Sequence, residues 1–520
     1  MKTKSTKIIL AVLIAVFAAQ LSHAAVNYSN PVMPGDFPDP SVVRVGDDYW
    51  ATATASEWGP IYPILHSRDL VNWELKGHIF NEKPAWSSKN FWAPELEYYK
   101  GKFFVYYVAR NSSDDLLHIA VATAENPLGP WTDHGPMIGQ PDGSIDAIIE
   151  TDEKGQRYML WKNDGNSRGE PTFIYAQKLS VDGLKLTGEM KQLIRNDQAW
   201  EGNLIEGPDV VKHGDYFYLF YAGNGCCGKN CSYGTGVARS KSLHGPYEKF
   251  SKNPILTHSE TWRCPGHGTI VSTPDGRDFF LYHAYAVKGF QFIGRQGVLD
   301  EIKWADGWPV FNPTKSVSTS AVSPYRKAQK VESEFFDDFA ATNLNLRWQW
   351  PHAIDRSAKI EKGELILTAP TARSNGLFGA VAAVQTTKAD YAATTFIDVR
   401  DLKAGAQVGL FAFGDLQNAL GITLGDGKIT LRREQKNKTE TLGSIDAPTG
   451  PKVYLRMEAK DGHLFHFSVW DGNEWKTVGE KTNLEGNFLP PWDRGVRIAL
   501  TAGGTENATA KFDWLRVVPK

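Results

Sequence analysis

Apolar and polar residues alternate in short runs along most of this chain, whereas the spacing of an amphipathic helix is scarce. Short alternating runs bounded by turn residues predict β-strands joined by tight turns. One unit occurs five times: an acidic or imidazole side chain, an apolar run, a polar turn with glycine, and an aromatic-rich strand. The turn glycines are Gly46, Gly101, Gly155, Gly214 and Gly276. Their spacing of about 54–62 residues indicates the blades of a propeller.

Each unit predicts a β-hairpin, because glycine accepts the positive φ that a tight turn needs. Residues 41–45, for example, turn at Gly46 into residues 49–54. A second repeated element combines a turn, a leucine and an aromatic residue, and it predicts the outer strands of successive blades. It occurs at residues 67–73, 124–131 and 240–247. Five blades of four strands would account for about residues 28–320.

A polar stretch with Pro324 predicts a linker at residues 317–330, and short alternating runs resume beyond it. Residues 331–520 therefore predict a β-sandwich of jelly-roll type. The predicted fold class is all-β, with a five-bladed β-propeller followed by this sandwich. A length of 520 residues agrees with at least two domains.

The N-terminus has the pattern of a secretory signal peptide. Three lysines precede an apolar run at residues 8–19, and small residues surround His23 before a cleavage site after Ala24. We therefore expect residues 1–24 to be removed and the protein to be exported, to the periplasm or the extracellular space. No other stretch approaches the ~20 apolar residues of a membrane span.

Composition narrows the range of partners. A formal net charge of −2, without a basic tract, gives no electrostatic reason to expect nucleic-acid binding. The chain has 17 Trp, 19 Tyr and 26 Phe, so stacking surfaces for a neutral sugar are plausible, although most of these rings should be core.

Four cysteines lie close together, at positions 226, 227, 231 and 264. In an exported protein they favour disulfides. Three complete pairings are open, and a bond between the adjacent pair Cys226 and Cys227 would be strained, so the sequence does not choose among them. The alternative is a metal site, but Cys-Cys-x3-Cys lacks the usual zinc spacing.

A propeller would bring the first residue of each repeat toward one axis. Those residues are Asp39, Glu95, Asp146, Glu206 and His267. Each could simply cap a turn or bond to nearby backbone. Burying several carboxylates at matching positions costs free energy, however, and this favours a functional role. Crowded like charges raise at least one pKa and so place a general acid beside an ionised base. Two such carboxylates are what glycoside hydrolysis requires.

The motifs around these residues resemble those of glycoside hydrolase family 43, the five-bladed inverting arabinofuranosidases and xylosidases. The matching stretches are Phe37-Pro38-Asp39-Pro40-Ser41, Trp92-Ala93-Pro94-Glu95, Ser144-Ile145-Asp146, Ile205-Glu206-Gly207-Pro208, Gly266-His267-Gly268 and Gly307-Trp308-Pro309. The resemblance implies that Asp39 is the general base, that Glu206 is the general acid, and that Asp146 orients the acid and raises its pKa.

The same resemblance suggests roles for four further residues. His267 would approach a structural calcium at the propeller axis, the alternative being a neutral histidine bonded to backbone; no organic cofactor is implied. Arg295 would bind substrate, unless it is a surface residue. Trp92 would wall the sugar pocket, unless it is buried, and Glu95 would be a supporting residue.

The resemblance also implies an oligosaccharide or polysaccharide substrate. Glu206-Gly207-Pro208 resembles the exo-acting members, and Cys226-Cys227 lies in a loop similar to one of arabinan-active members. We therefore expect an exo-acting α-L-arabinofuranosidase on arabinan, arabinoxylan or related oligosaccharides of plant cell walls. The alternatives are a β-D-xylosidase or bifunctional enzyme, then an endo-arabinanase, a retaining fructan-cleaving propeller and a non-catalytic sugar-binding propeller.

The C-terminal region resembles the β-sandwich appended to many family members. Two roles are open: binding carbohydrate, or bracing the propeller and lending a loop to the pocket rim. No sugar platform is identified by five of its tryptophans, since all five could be core: Trp348, Trp350, Trp470, Trp475 and Trp492.

Overall fold

A computed structural model describes residues 25–331, 334–354, 357–370 and 376–520. The predicted signal peptide, residues 1–24, lies outside the described residues. Strands dominate, and helix is limited to the α-helix α1 (Phe290–Ile293) and two 3-10 turns, Gly165–Arg168 and Ala199–Glu201, within the described ranges. None of the helices in these ranges has the length and apolar character needed to cross a membrane.

The first part of the chain is built from short strands joined by tight turns. In chain order they are β1 (Asn27–Ser29), β2 (Ser41–Val45), β3 (Asp48–Thr52), β4 (Trp58–Gly59), β5 (Ile61–Ser67), β6 (Glu74–Phe80), β7 (Ser87–Tyr99), β8 (Lys102–Asn111), β9 (Leu117–Ala124), β10 (Thr132–Ile138), β11 (Ser144–Thr151), β12 (Arg157–Asn163), β13 (Phe173–Leu179), β14 (Leu186–Arg195), β15 (Ile205–His213), β16 (Tyr216–Gly223), β17 (Gly234–Ser240), β18 (Glu248–Lys249), β19 (Trp262–Ser272), β20 (Asp278–Ala286), β21 (Gln296–Ala305), β22 (Trp308–Val310) and β23 (Ser320–Val322).

These strands form five antiparallel four-stranded sheets. Their orders are β2-β3-β5-β6, β7-β8-β9-β10, β11-β12-β13-β14, β15-β16-β17-β18 and β19-β20-β21-β22. The first strand of each sheet contacts the first strand of the next, and β19 closes the circle against β2. The five sheets are therefore arranged as the blades of a propeller, with β2, β7, β11, β15 and β19 innermost.

The turns that link the first two strands of each blade contain the five repeat glycines. All five have positive φ, between 57° and 83°. A Cβ added at any of them would meet nothing within 4 Å, so the backbone conformation, and not space, explains the glycine. The hairpins predicted from the repeat are confirmed.

The prediction that residues 67–73, 124–131 and 240–247 form outer strands is wrong. After their first residues these segments are turns that connect the third strand of a blade to the fourth. The reason is local side-chain bonding: Oδ1 of Asp69 accepts from the backbone N–H of Val71 and Asn72, at 3.0 and 2.7 Å, which favours a turn over a strand.

The stretch predicted as a linker begins inside the propeller. Ser320–Val322 forms β23, which pairs antiparallel with β1 (Asn27–Ser29). The two ends of the propeller chain are thereby joined to each other.

The remaining strands form a second unit. They are β24 (Phe335–Asp337), β25 (Trp350–Pro351), β26 (Ala358–Glu361), β27 (Glu364–Thr368), β28 (Ala380–Gln385), β29 (Tyr391–Asp398), β30 (Gln407–Asp415), β31 (Asn418–Gly425), β32 (Lys428–Gln435), β33 (Lys438–Asp446), β34 (Lys452–Lys460), β35 (Leu464–Trp470), β36 (Trp475–Thr477), β37 (Leu484–Glu485), β38 (Arg497–Gly503) and β39 (Thr509–Pro519).

Two sheets pack face to face in this unit. One has the central order β26-β27-β39-β29-β34-β35-β36, and the other has the order β28-β38-β30-β31-β32-β33. A single apolar cluster fills the space between them, including Trp348, Leu410 and Phe512. This is a β-sandwich, as predicted. β25 leaves it to pair with β4 of the propeller, so the two units share a small sheet.

Candidate active site

Each innermost strand, or the segment just before it, has a residue in the left-handed backbone region near the site; β7 and β19 have a second one each, Asn90 and Cys264. The five residues near the site are Asp39, Ala93, Asp146, Gly207 and His267, with φ of 51°, 36°, 60°, 54° and 45°. We call these five residues the inner ring. In four of the strands the irregularity coincides with a shift in the pairing register. The shift turns side chains out of the regular alternation and toward the axis.

The inner ring differs from the five residues expected from the repeat. Asp39, Asp146 and His267 belong to it, whereas Glu206 directly precedes the ring residue Gly207. Glu95 lies two residues beyond Ala93, at a deeper level of the axis. There it accepts a hydrogen bond of 2.7 Å from Ser41. Glu95 is therefore not equivalent to the three other carboxylates, as its expected supporting role implied.

Asp39 is held by groups from three directions. Oδ1 lies 2.8 Å from Nη1 of Arg295 and 3.4 Å from Nδ1 of His267, and Oδ2 accepts from Thr54 Oγ1 at 2.7 Å. Burial alone would raise the pKa of Asp39, but the charge of Arg295 and then that of His267 hold this pKa far below its usual range. Asp39 is ionised at any ordinary pH.

His283 supports the backbone of Asp39. Its Nδ1 lies 3.1 Å from the backbone N of Asp39 and 3.1 Å from Oδ1 of the same residue. Burial lowers the pKa of His283 to about 4, so the ring is neutral. It therefore fixes the left-handed conformation at Asp39 without adding charge.

Asp146 and Glu206 are a coupled pair of buried carboxyl groups. Burial is the main reason why the pKa of Asp146 is raised to about 6, and the charge of Glu206 adds to it. Oδ2 of Asp146 accepts from the N–H of Gly207 at 2.9 Å. This bond ties the backbone of Gly207, which follows Glu206, to Asp146. The pair therefore takes up one proton as the pH falls through the raised pKa of Asp146, about 6.

Glu206 lies between a lysine and a tyrosine. Lys162 Nζ is 2.9 Å from its Oε2, and Tyr233 donates to its Oε1 at 2.9 Å. Burial would raise the pKa of Glu206, but the charge of Lys162 lowers it below the usual value. The expectation that Asp146 raises the pKa of the acid is therefore not met at Glu206; the raised pKa belongs to Asp146 itself.

His267 faces the carboxylates. Its Nδ1 is 3.4 Å from Oδ1 of Asp39 and 4.0 Å from Oδ2 of Asp146. Within the described ranges, no group of three or more His, Cys, Asp or Glu has a geometry that could hold a metal. Protein ligands alone therefore do not form a calcium site at His267, and we derive no chemical step from calcium. The calcium expectation stays a prediction.

Arg295 is only 4% exposed, so the alternative of a surface arginine is wrong. Besides Asp39, it contacts the sandwich: Nη2 donates to the carbonyl oxygen of Asp493 at 3.1 Å. Asp36 ties the same region together. Its carboxylate accepts from the N–H of Arg295 at 3.1 Å and from Nη2 of Arg497 at 3.0 Å. The sandwich thus helps to place the arginine beside Asp39.

Two tryptophans lie at the rim. The ring of Trp92, which is partly exposed, meets that of Trp492 edge to face, with centroids 5.8 Å apart. Trp492 belongs to the sandwich and is 56% exposed, whereas Trp348 and Trp350 are core. A sandwich loop therefore reaches the rim, which was one of the two roles left open for this domain.

The four cysteines form two disulfides. Cys226 bonds its neighbour Cys227, the pairing that seemed unfavourable from sequence, and Cys231 bonds Cys264. The second bond joins the segment before Tyr233 to β19, the strand of His267. The metal alternative for these cysteines is therefore wrong.

Sequence reasoning missed several residues of the site: Asp36, Thr54, Lys162, Tyr233 and His283. One of them had a visible signal. Lys162 ends the apolar run Met159-Leu160-Trp161 and is completely buried. A lysine at a buried strand position predicts an anionic partner, because an unpaired buried ammonium group is costly.

Comparison with known proteins agrees with this architecture. Residues 28–309 match the family model described as glycosyl hydrolases family 43. Residues 336–518 match the model of a beta xylosidase C-terminal Concanavalin A-like domain.

Individual relatives have differing names. A xylan 1,3-beta-xylosidase of Vibrio sp is 29% identical over 502 residues, covering 87% of this chain and 91% of that protein. A non-reducing end alpha-L-arabinofuranosidase of Bacteroides ovatus is 30% identical over 369 residues, covering 65% and 64%. The crystal structure of the GH43 protein BlXynB from Bacillus licheniformis aligns with a TM-score of 0.82 at 26% identity, covering 95% of this chain and 100% of that one.

Proposed function

The chain belongs to glycosyl hydrolase family 43, and from this premise we propose that it is an exo-acting, inverting glycosidase that releases terminal α-L-arabinofuranose from arabinan, arabinoxylan or related oligosaccharides. The supporting observation is the contrast within the site. Arg295 holds the pKa of Asp39 far below its usual range, whereas burial and the charge of Glu206 raise the pKa of Asp146 to about 6. An ionised base together with a carboxyl pair that takes up a proton more readily is the combination that glycoside hydrolysis needs.

In this proposal, Asp39 takes a proton from water while the water oxygen attacks the anomeric carbon. Glu206 gives its proton to the glycosidic oxygen as the bond from that oxygen to the anomeric carbon breaks. Asp146 positions the acid through Gly207 and shares its proton. Attack opposite the leaving group inverts the anomeric configuration, and the products are a free sugar and a shortened chain.

The sugar itself is the finer part of the proposal. Arabinofuranose is supported by the loop of Cys226 and Cys227, and by a relative named as an arabinofuranosidase. The second candidate is β-D-xylose. It is supported by a relative named as a xylosidase that spans both domains. Both sugars are terminal pentoses, so the acid, the base and the exo-action are common to the two candidates.

The deciding experiment compares kcat/KM on 4-nitrophenyl α-L-arabinofuranoside and 4-nitrophenyl β-D-xyloside. We expect a preference of at least about tenfold for the arabinoside, which is roughly 1.4 kcal/mol of transition-state discrimination. A preference of that size for the xyloside would replace the first candidate by the second. Proton NMR of the first-formed product tests inversion separately, and retention would contradict the mechanism for either sugar.

We also propose that the protein acts outside the cytoplasm. This rests on the basic, apolar and small-residue pattern of residues 1–24. Fractionation of cells that express the full chain, followed by N-terminal sequencing, tests it: a mature protein that begins at Ala25 is expected, and an uncleaved cytoplasmic protein would contradict it.

A further inference from the structure

Lys162 is the buried cation that contacts the acid candidate Glu206. Its side chain is fully buried, and Nζ lies 2.9 Å from Oε2 of Glu206 and 3.2 Å from Oδ1 of Asp164. A buried ammonium group is costly unless it is paired, so this lysine is held by the two carboxylates. Yet a general acid must carry a proton to act, and a cation beside it favours the form without one.

The other groups that face Glu206 come from several elements. They are Asp146 on β11, Tyr233 before β17 and His267 on β19, with Asp164 directly after β12. Asp146 opposes ionisation of Glu206, whereas Lys162, Tyr233 and His267 favour it. Lys162 forms the closest charged contact among them, so its charge should weigh most in this balance.

We propose that Lys162 is a positioning residue for Glu206. It sets the pH above which Glu206 loses its proton and activity falls. This rests on the proposed function, since Glu206 is the acid there. Lys162 holds the carboxyl group in one orientation through Oε2, while Tyr233 holds Oε1. The ammonium charge keeps the alkaline limb of activity at lower pH than burial alone would give.

Asp164 makes the proposal testable in two directions. Its carboxylate shares Nζ with Glu206, and it makes no side-chain cap at the 3-10 turn that follows it. Removing the charge of Lys162 should let Glu206 keep its proton to higher pH. Removing the charge of Asp164 leaves Lys162 to Glu206 alone, and Glu206 should then lose its proton at lower pH. A residue that merely fills space would give no such pair of opposite shifts.

The experiment measures kcat/KM against pH for the wild type, Lys162→Met, Lys162→Arg and Asp164→Asn. We expect the alkaline limb of Lys162→Met to move upward by about 1–3 pH units, as removal of an opposite charge at this distance predicts. Lys162→Arg keeps the charge and should leave the limb within about half a unit of the wild type. Asp164→Asn should move it downward by up to about one unit.

A matched control lies on β18, in the blade next to that of Lys162. Lys249 bridges Glu201 and Asp197, each at 2.7 Å, away from the inner ring. Lys249→Met should lower stability without moving either limb. If Lys162→Met does not fold, the downward shift of Asp164→Asn carries the test.

The proposal fails if Asp164→Asn leaves the alkaline limb in place or raises it. It also fails if a folded Lys162→Met loses activity equally at all pH values. The proposed function is tested separately. Full activity of Glu206→Gln would contradict the assignment of Glu206 as the acid, whatever the pH profiles of the other variants show.

Discussion

Nη1 of Arg295 lies 2.8 Å from Oδ1 of Asp39, and both side chains are buried. A residue that the sequence suggested for substrate binding is thus also the main counter-charge of the proposed base. The pairing explains how a carboxylate with almost no access to solvent stays ionised, because the guanidinium cannot be deprotonated in a protein.

Arg295→Met is expected to move the acid limb of kcat/KM upward by about 1–3 pH units. Asp39 must be ionised to accept a proton, and Arg295 lowers the pKa of Asp39. Removing the arginine raises that pKa, so activity is lost at a higher pH on the acid side. The pH profile is the measurement. Arg277→Met, at an exposed pair with Asp275, is the control and should leave the limb unchanged. An unaltered limb in Arg295→Met would contradict the pairing as the cause.

Glu206→Gln is expected to lower kcat by about 10²–10⁴-fold while the fold is kept, since it removes the proton donor and little volume. Glu201→Gln is a matched control, because Glu201 is also buried and also bonded by a tyrosine and a lysine, Tyr221 and Lys249. Stopped assays on the aryl glycoside and circular dichroism give the two readouts. Similar losses in both variants would mean that Glu206 has only a structural role.

Tyr233→Phe removes the hydrogen bond to Oε1 of Glu206 and keeps the ring. The ionised form of Glu206 loses a donor, so the alkaline limb should move upward, but by less than in Lys162→Met, because a neutral donor stabilises a carboxylate less than a charge does. Tyr221→Phe, which removes the equivalent bond to Glu201, should not shift the limb. A downward movement in Tyr233→Phe would contradict the assignment.

Arg497→Met is expected to destabilise the protein by about 3–5 kcal/mol, because it leaves the buried carboxylate of Asp36 without its cation. Equilibrium unfolding in guanidinium chloride measures this. The exposed pair of Lys428 and Asp446 gives the comparison: Lys428→Met should cost no more than about 1 kcal/mol. Near-equal effects of the two substitutions would show that the contact between propeller and sandwich adds little to stability.

Trp492→Ala is expected to raise KM several-fold for an arabino-oligosaccharide and to change it little for the aryl arabinoside. Trp492 is exposed and meets Trp92 edge to face, so we expect it to stack on sugar units outside the cleavage site. Kinetics on the two substrates measure the difference. Trp475→Ala, in the sandwich but away from Trp92, is the control. Equal changes of KM on both substrates would contradict this placement.

The propeller was predictable because its signal is local. Five turn glycines with positive φ mark five hairpins, and the spacing of these glycines gives the size of a blade. The segments misread as outer strands show the limit. Their leucine and aromatic residues suggest a strand, but Asp69 bonds to the backbone N–H groups that a strand would have used.

The site was predictable in part for the same reason. Asp39, Asp146 and Glu206 stand in recognisable motifs, whereas Lys162 and Tyr233 reach Glu206 only through the folding of two other strands. The position of Glu95 outside the inner ring could not be predicted either. It depends on a register shift between Trp92 and Glu95, which no spacing of residues reveals.

Apart from Gly207, the smallest residue of the inner ring is Ala93. Ala93 follows Trp92, and its N–H donates to Oγ1 of Thr54 at 2.7 Å, while that hydroxyl donates to Asp39. Blade two therefore supplies the base with a backbone support and no functional group of its own. Ala93 is buried and has a φ of 36°, so a larger side chain at this position would strain the backbone whose N–H supports Thr54 and, through Thr54, the base. A substitution that touches no ionisable group could therefore still disturb Asp39.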